Sequence, residues 1–149
     1  MTTKLFLNDP IVYLDNDDFD EQGELKQLAM FSDSSKPIFI MIQSNFCGFC
    51  SMAKPHYQEF ATENKDKAYF ATIQGDEARP ERSLSIKLLM DRITKIYPEF
   101  FGYPSYLILY KGKKFKYEKD RTKASLNEVL NQILSSETTT TAAPTTTSG

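Results

Sequence analysis

Seven residues, Pro37-Ile-Phe-Ile-Met-Ile-Gln43, form an almost unbroken run of apolar, β-branched and aromatic side chains that points at the only two cysteines, Cys47 and Cys50. A strand with no polar face belongs in the interior of a sheet covered on both sides. That requirement restricts the fold to layered α/β arrangements and sets the cysteine pair at the exit of a central strand.

The remaining segments supply such layers. Ile11 to Leu14 gives a short early or edge strand, followed by an acidic turn. Phe19, Leu25, Leu28, Ala29 and Met30 are spaced as in a short amphipathic helix over 19–31, which the polar stretch before Pro37 ends. After Cys50, the residues Met52, Ala53, Tyr57, Phe60 and Ala61 predict a helix kinked at Pro55. Ala68 to Gln74 predicts a strand, and Ser83 to Tyr97 a core-facing helix through Leu84, Leu88, Leu89, Ile93 and Ile96. Ser105 to Lys111 and Lys114 to Glu118 predict a hairpin turning at Gly112-Lys113. The last helix is expected to start at a Ser125 cap with Glu128 three residues on, and to bury Leu126, Val129, Leu130, Ile133 and Leu134. The order β, α, β, α, β, α, β, β, α describes a central mixed sheet with helices on both faces.

With 149 residues and 40% hydrophobic content the chain suffices for one domain, expected over residues 1–135. Residues 136–149 are Thr-rich and nearly devoid of large apolar side chains, so a disordered tail is expected there. A net charge of -2 with acids and bases intermixed offers no footprint for nucleic acid. No apolar run is long enough to span a bilayer, and the polar start lacks the apolar core of a secretory signal, so a cytoplasmic, reducing compartment is expected.

Two cysteines exclude a disulfide framework of the secreted kind. A structural zinc site needs four ligands, and with His56 added the chain falls one short, so no metal and no cofactor are expected. A structural disulfide across so small a loop would restrict the unfolded chain little. Redox chemistry fits better. A cysteine between a buried strand and a helix start meets backbone N–H groups and a helix dipole that favour the thiolate, and a second cysteine one turn on can resolve a mixed disulfide. Cys47 is the expected nucleophile and Cys50 the resolving thiol. His56, six residues beyond Cys50, is too far along the helix for a base and is expected on a solvated surface or in a local hydrogen bond.

These residues resemble the thioredoxin family. Asn45-Phe-Cys-Gly-Phe-Cys50 is similar to its aromatic-Cys-Gly-Pro-Cys motif, with Phe46 in place of Trp and Phe49 in place of Pro. Pro55 matches the family's helix-kinking proline, Ile11 to Phe19 its first strand and turn, and Gly102 to Lys114 its cis-proline strand and hairpin. The resemblance, over roughly residues 10 to 135, implies a thioredoxin-like fold, a cis Pro104, and a Tyr103 backbone that pairs with an extended substrate. It implies a monomeric thiol–disulfide oxidoreductase acting on protein disulfides with an external reductant or oxidant, with Phe46, Gly48, Phe49, Tyr103 and Pro104 contacting substrate. Viral members exist, so a virion-packaged protein is one form this expectation takes.

The departures bear on the chemistry. The family's buried acid, six positions before the first cysteine, is Met41 here, and its lysine partner is Thr72. Without that relay, slower deprotonation of Cys50 and weaker turnover are expected unless Glu99, Asp76 or water substitutes. Gly48 and Phe49 leave the reduction potential unassigned within the family's span of about -270 to -120 mV. Phe46 and Phe49 are expected to be exposed. Of the aromatic group near Pro104, Tyr97, Phe100 and Tyr106 are expected in the core and Tyr103 and Phe101 on a substrate rim. Two rivals follow from the same residues: a redox-inactive module binding an extended peptide beside Pro104, and a disulfide oxidase or isomerase.

Overall fold

The computed structural model describes residues 7–44, 48–75, 91–95, 97, 103–117 and 119–135. Five strands form one sheet: β1 (Ile11–Tyr13), β2 (Ile38–Gln43), β3 (Tyr69–Gln74), β4 (Ser105–Tyr110) and β5 (Lys113–Tyr117). Their order in space is β1-β3-β2-β4-β5. β3 runs parallel to both β1 and β2, whereas β4 runs antiparallel to β2 and β5 antiparallel to β4. The apolar run thus occupies the middle strand. Phe39 to Gln43 are all buried, as a strand covered on both faces demands.

Two helices, α1 (Gly48–Glu63) and α2 (Lys123–Ser135), cover one face. α1 buries Cys50, Ala53, Tyr57, Phe60 and Ala61 in a stripe at helical spacing, and α2 buries Leu126, Val129, Leu130 and Ile133. Both stripes pack with Phe39, Met41, Phe70, Tyr106 and Phe115 from the sheet. Pro55 lies within α1, which continues through it to Glu63. Met52, expected in the apolar stripe, is 71% exposed, and Lys54 is buried instead.

The opposite face carries Ile40, Ile42, Ala71, Ile73 and Leu107, packed with Leu14, Phe19, Ile93 and Tyr97. Its cover corrects the expected 19–31 helix. That stretch holds a bridge between Phe19 and Leu25 and a 3-10 turn at Ala29–Phe31, after another at Asn16–Asp18. The reason is local. The Asp20 carboxylate accepts from Gln22 N and Glu24 N, both at 2.9 Å, and Gly23 adopts φ 85°, which gives the backbone a turn in place of helical bonds. Arg92 Nη1 donates to Asn16 O and Phe19 O at 2.6 and 2.9 Å, tying this cover to the helical residues 91–95. Of the expected 83–97 helix, residues 83–90 and 96 lie outside the described residues, as does the 136–149 tail.

Two boundaries also shift. The hairpin turns at Lys111-Gly112, both at positive φ (52° and 78°), because the two-residue turn that matches strand twist requires this at both central positions. The cap of α2 is Thr122, whose hydroxyl accepts from Ser125 N at 3.2 Å; Ser125 is already inside the helix. β5 and the three-residue β1 are the two edges of the sheet.

Candidate functional site

In this topology the C-terminal ends of β2 and β3, the N-terminus of α1 and the start of β4 all meet at one end of the sheet. Gly75 N donates to Gln43 O at 2.8 Å, joining the strands beyond their ladder. Pro104 leads directly into β4, where Ser105 pairs with Ile42, and the Tyr103-Pro104 peptide is cis. Gly48, Phe49 and Cys50 form the first turn of α1. Gly48, Phe49, Tyr103 and Pro104 are therefore brought to the end of the sheet that carries Cys50. Phe46 and Cys47 lie outside the described residues, as do Asp76, Glu99, Phe100 and Phe101.

The first turn of α1 is split between solvent and interior. Phe49 is 64% exposed and Cys50 is wholly buried. The Arg121 guanidinium lies over the Phe49 ring, 5.6 Å from its centroid, so a cation and an aromatic face stand together at the surface. Beside them runs an open groove of about 470 Å³, lined by Phe49, Met52, Ala53, His56 and residues 119–122. A Cβ added at Gly48 would meet nothing within 4 Å among the described residues. A Cβ at Gly75, by contrast, would collide with the phenol of Tyr103, whose hydroxyl donates to Gly75 O at 3.3 Å. Tyr103 is half-buried against the aliphatic core, while Tyr97 and Tyr106 are buried.

The relay positions are sealed. Met41 and Thr72 are fully buried, and the Thr72 hydroxyl donates to Met41 O at 2.8 Å, closing on the backbone instead of facing a charged partner. Two phenols also lie beneath α1. Tyr57 OH donates to Phe39 O or Ala71 O, at 2.9 and 2.8 Å, and burial pushes its pKa well above the usual tyrosine value. Tyr106, directly across the ladder from Met41, is likewise held protonated, first by burial, then by Tyr117. The side-chain amide of Gln43, at the end of β2, is buried with no partner among the described residues.

Sequence reasoning missed the buried Lys54, and it placed Tyr57 and Tyr106 in the core without assigning their hydroxyls a role. Lys54 sits at a helical position four after Cys50, and that spacing was the available signal. His56 is exposed and its Nδ1 accepts from Lys123 N at 3.1 Å, so it caps the neighbouring helix. Among the described residues, no cluster of three His, Cys, Asp or Glu side chains is placed to hold a metal, and no helix is long and apolar enough to cross a membrane.

The thioredoxin family model matches residues 11–132. The thioredoxin-like protein 453L of Invertebrate iridescent virus 6 is 30% identical over 145 residues, covering 90% of this chain and 99% of the viral protein. Among solved structures, the J-Trx1 fragment of ERdj5 superposes with a TM-score of 0.57 at 23% identity, covering 84% of this chain and 52% of the fragment. Human ERp44 does so with a TM-score of 0.59 at 17% identity, covering 87% of this chain. The chain spans only 31% of ERp44, so the likeness is one of fold. With a match that runs from the first residue of β1 into α2, and a viral relative aligned along nearly its whole length, the chain belongs to the thioredoxin family.

Proposed function

We propose that this chain is a thiol–disulfide oxidoreductase acting on protein disulfides, with Cys47 as nucleophile and Cys50 as resolving thiol. The observation that carries the reading is the split first turn of α1, with Phe49 open to solvent and Cys50 wholly enclosed. A protein substrate meets an apolar ring beside a cation, while the second sulfur is reached only from within the molecule. That division suits a mixed disulfide formed outside and resolved inside. Phe46, Gly48, Phe49, Tyr103 and Pro104 form the proposed substrate contacts, and a cytoplasmic or other reducing setting supplies the electrons.

Burial of Met41 and Thr72 where the family keeps an acid and a lysine favours one rival, a module that binds peptides without redox turnover. Insulin reduction driven by dithiothreitol separates the two when the native chain is compared with Cys47→Ser and Met41→Asp. The native chain is expected to accelerate insulin precipitation, Cys47→Ser to lose the acceleration entirely, and Met41→Asp to gain rate. A silent native chain whose peptide binding survives Cys47→Ser would overturn the oxidoreductase reading.

A further inference from the structure

The two phenols under α1 differ in one respect. Tyr57 and Tyr106 stack edge to face with ring centroids 5.8 Å apart, yet Tyr57 OH has two carbonyl acceptors while Tyr106 OH, equally shut off from solvent, has no hydrogen-bond partner among the described residues. A buried hydroxyl without a partner costs free energy, so an acceptor that arises only in another state of the protein would draw it in. Cys50 is the candidate. It is wholly buried on the same face and lies within electrostatic range of Tyr106. A neutral thiol is a poor acceptor and a thiolate a strong one.

We propose that Tyr106 is the group that stabilises the Cys50 thiolate, donating its orphan hydroxyl proton in a hydrogen bond to the sulfur as the sulfur ionises. Tyr106 pairs with Met41 across the β2–β4 ladder, so the polar function missing at residue 41 is supplied from the adjacent strand. It works differently from a carboxylate. Burial and the neighbouring Tyr117 keep the phenol protonated, so it acts as a fixed donor and never as a base.

The inference rests on the dithiol reading given above and specifies its second step. Cys50–SH releases its proton to water, and the thiolate attacks the Cys47 sulfur of the mixed disulfide. The Cys47–Cys50 bond forms, the bond from Cys47 to the substrate sulfur breaks, and the substrate leaves as a thiolate that takes up a proton. Tyr106 keeps its proton throughout. Among the described residues, the other ionisable groups on the elements around the pair are Lys54 and Tyr57 on α1, Tyr117 on β5, Asp120 and Arg121 before α2, and Glu128 on α2. Tyr117 OH donates to Asp120 O, which commits that phenol elsewhere, and Arg121 adds a cation on the solvent side.

The test needs no turnover, so its result is independent of whether insulin is reduced. In a Cys47→Ser chain carrying 13C-labelled cysteine, Cys50 is the single labelled residue, and its ionisation is followed by NMR against pH. Tyr106→Phe, which removes one oxygen, is expected to raise the Cys50 midpoint by about one pH unit, a tenfold smaller thiolate fraction below it. Tyr57→Phe is expected to leave the midpoint in place, because that hydroxyl is already bonded. An unchanged midpoint in Tyr106→Phe overturns the proposal. Should that variant fail to fold, the Tyr106 Cζ resonance in the Cys47→Ser chain decides instead. A shift with the same midpoint as Cys50 supports the hydrogen bond, and a resonance indifferent to Cys50 ionisation overturns it.

Discussion

Under α1 and α2 the sheet presents Phe39, Met41, Phe70, Tyr106 and Phe115, whereas its opposite face presents Ile40, Ile42, Ala71, Ile73 and Leu107. The aromatic face is deep. Phe39, Phe60 and Phe70 meet at ring-centroid distances of 5.1 to 5.8 Å and fill the space beneath two regular helices. The aliphatic face is in part covered by a segment of short turns and an isolated bridge, whose carbonyls are held by Arg92 and by Lys95, the latter donating to Glu21 O at 2.7 Å. Among the described residues, the aromatic face carries the Tyr57 and Tyr106 hydroxyls inside a packed layer that also holds Cys50. The difference teaches where chemistry can be tuned: a face built of rings with polar tips can change its hydrogen bonds without losing its packing.

The largest test of this division is a pair of truncations. Phe60→Ala beneath α1 and Phe19→Ala under the irregular cover are each expected to cost about 3–5 kcal/mol in urea unfolding. Because the rings belong to opposite faces, the double variant is expected to lose the sum within about 0.5 kcal/mol. A larger departure from the sum would mean that the sheet couples its two layers.

Alkaline unfolding sharpens the comparison next. Tyr57 and Tyr106 have pKa values raised in the folded chain, chiefly by burial, while an unfolded tyrosine ionises near pH 10. Above that pH the unfolded chain releases protons that the folded chain retains. The stability these groups contribute is therefore complete below about pH 10 and is lost as pH rises toward their folded values, at about 1.4 kcal/mol per pH unit for each phenol. Tyr106→Phe is expected to lower the slope of stability against pH by one proton; an unaltered slope would show that Tyr106 ionises in the folded chain.

The smallest effect lies where the two helices of the aromatic face touch at the surface. Lys123 Nζ contacts Glu63 at 2.9 Å and Glu59 at 3.4 Å, and its pKa is raised, first by Glu63 and then by Glu59. A raised lysine stabilises fully below its unfolded pKa and loses that contribution as pH climbs through the folded value. At neutral pH, Lys123→Met is expected to give a slight drop in Tm that vanishes in high salt. A salt-independent loss would mean that the lysine stem, not its charge, joins the helices.

Much of the scaffold was legible from patterning. The apolar run at 37–43 announced the central strand, and Cys50 falls in the first turn of the helix that follows it. What periodicity could not register was hydrogen bonding by short side chains. Phe19, Leu25 and Leu28 have helical spacing, but Asp20 and Gly23 convert the segment to a turn. Thr122 captures the cap three residues ahead of the residue that resembles a capping box. Within the site, motif matching identified Met41 and Thr72 as substitutions. It could not see that Tyr106 on the partner strand stands opposite Met41, because cross-strand register exists only after the sheet has formed.

The lysines of the hairpin have a consequence of another kind. Lys113, Lys114 and Lys116 line β5, whose outer edge has no strand beside it among the described residues, and Lys114 Nζ lies 3.2 Å from Glu24 Oε2. A second molecule that tried to extend the sheet in antiparallel fashion would bring its own row of ammonium groups against these. That electrostatic fence protects the sheet from self-templated aggregation, so concentrated preparations should tolerate low salt better than high salt, and charge-reversing Lys114 and Lys116 together would create an edge that heterodimerises with the original chain.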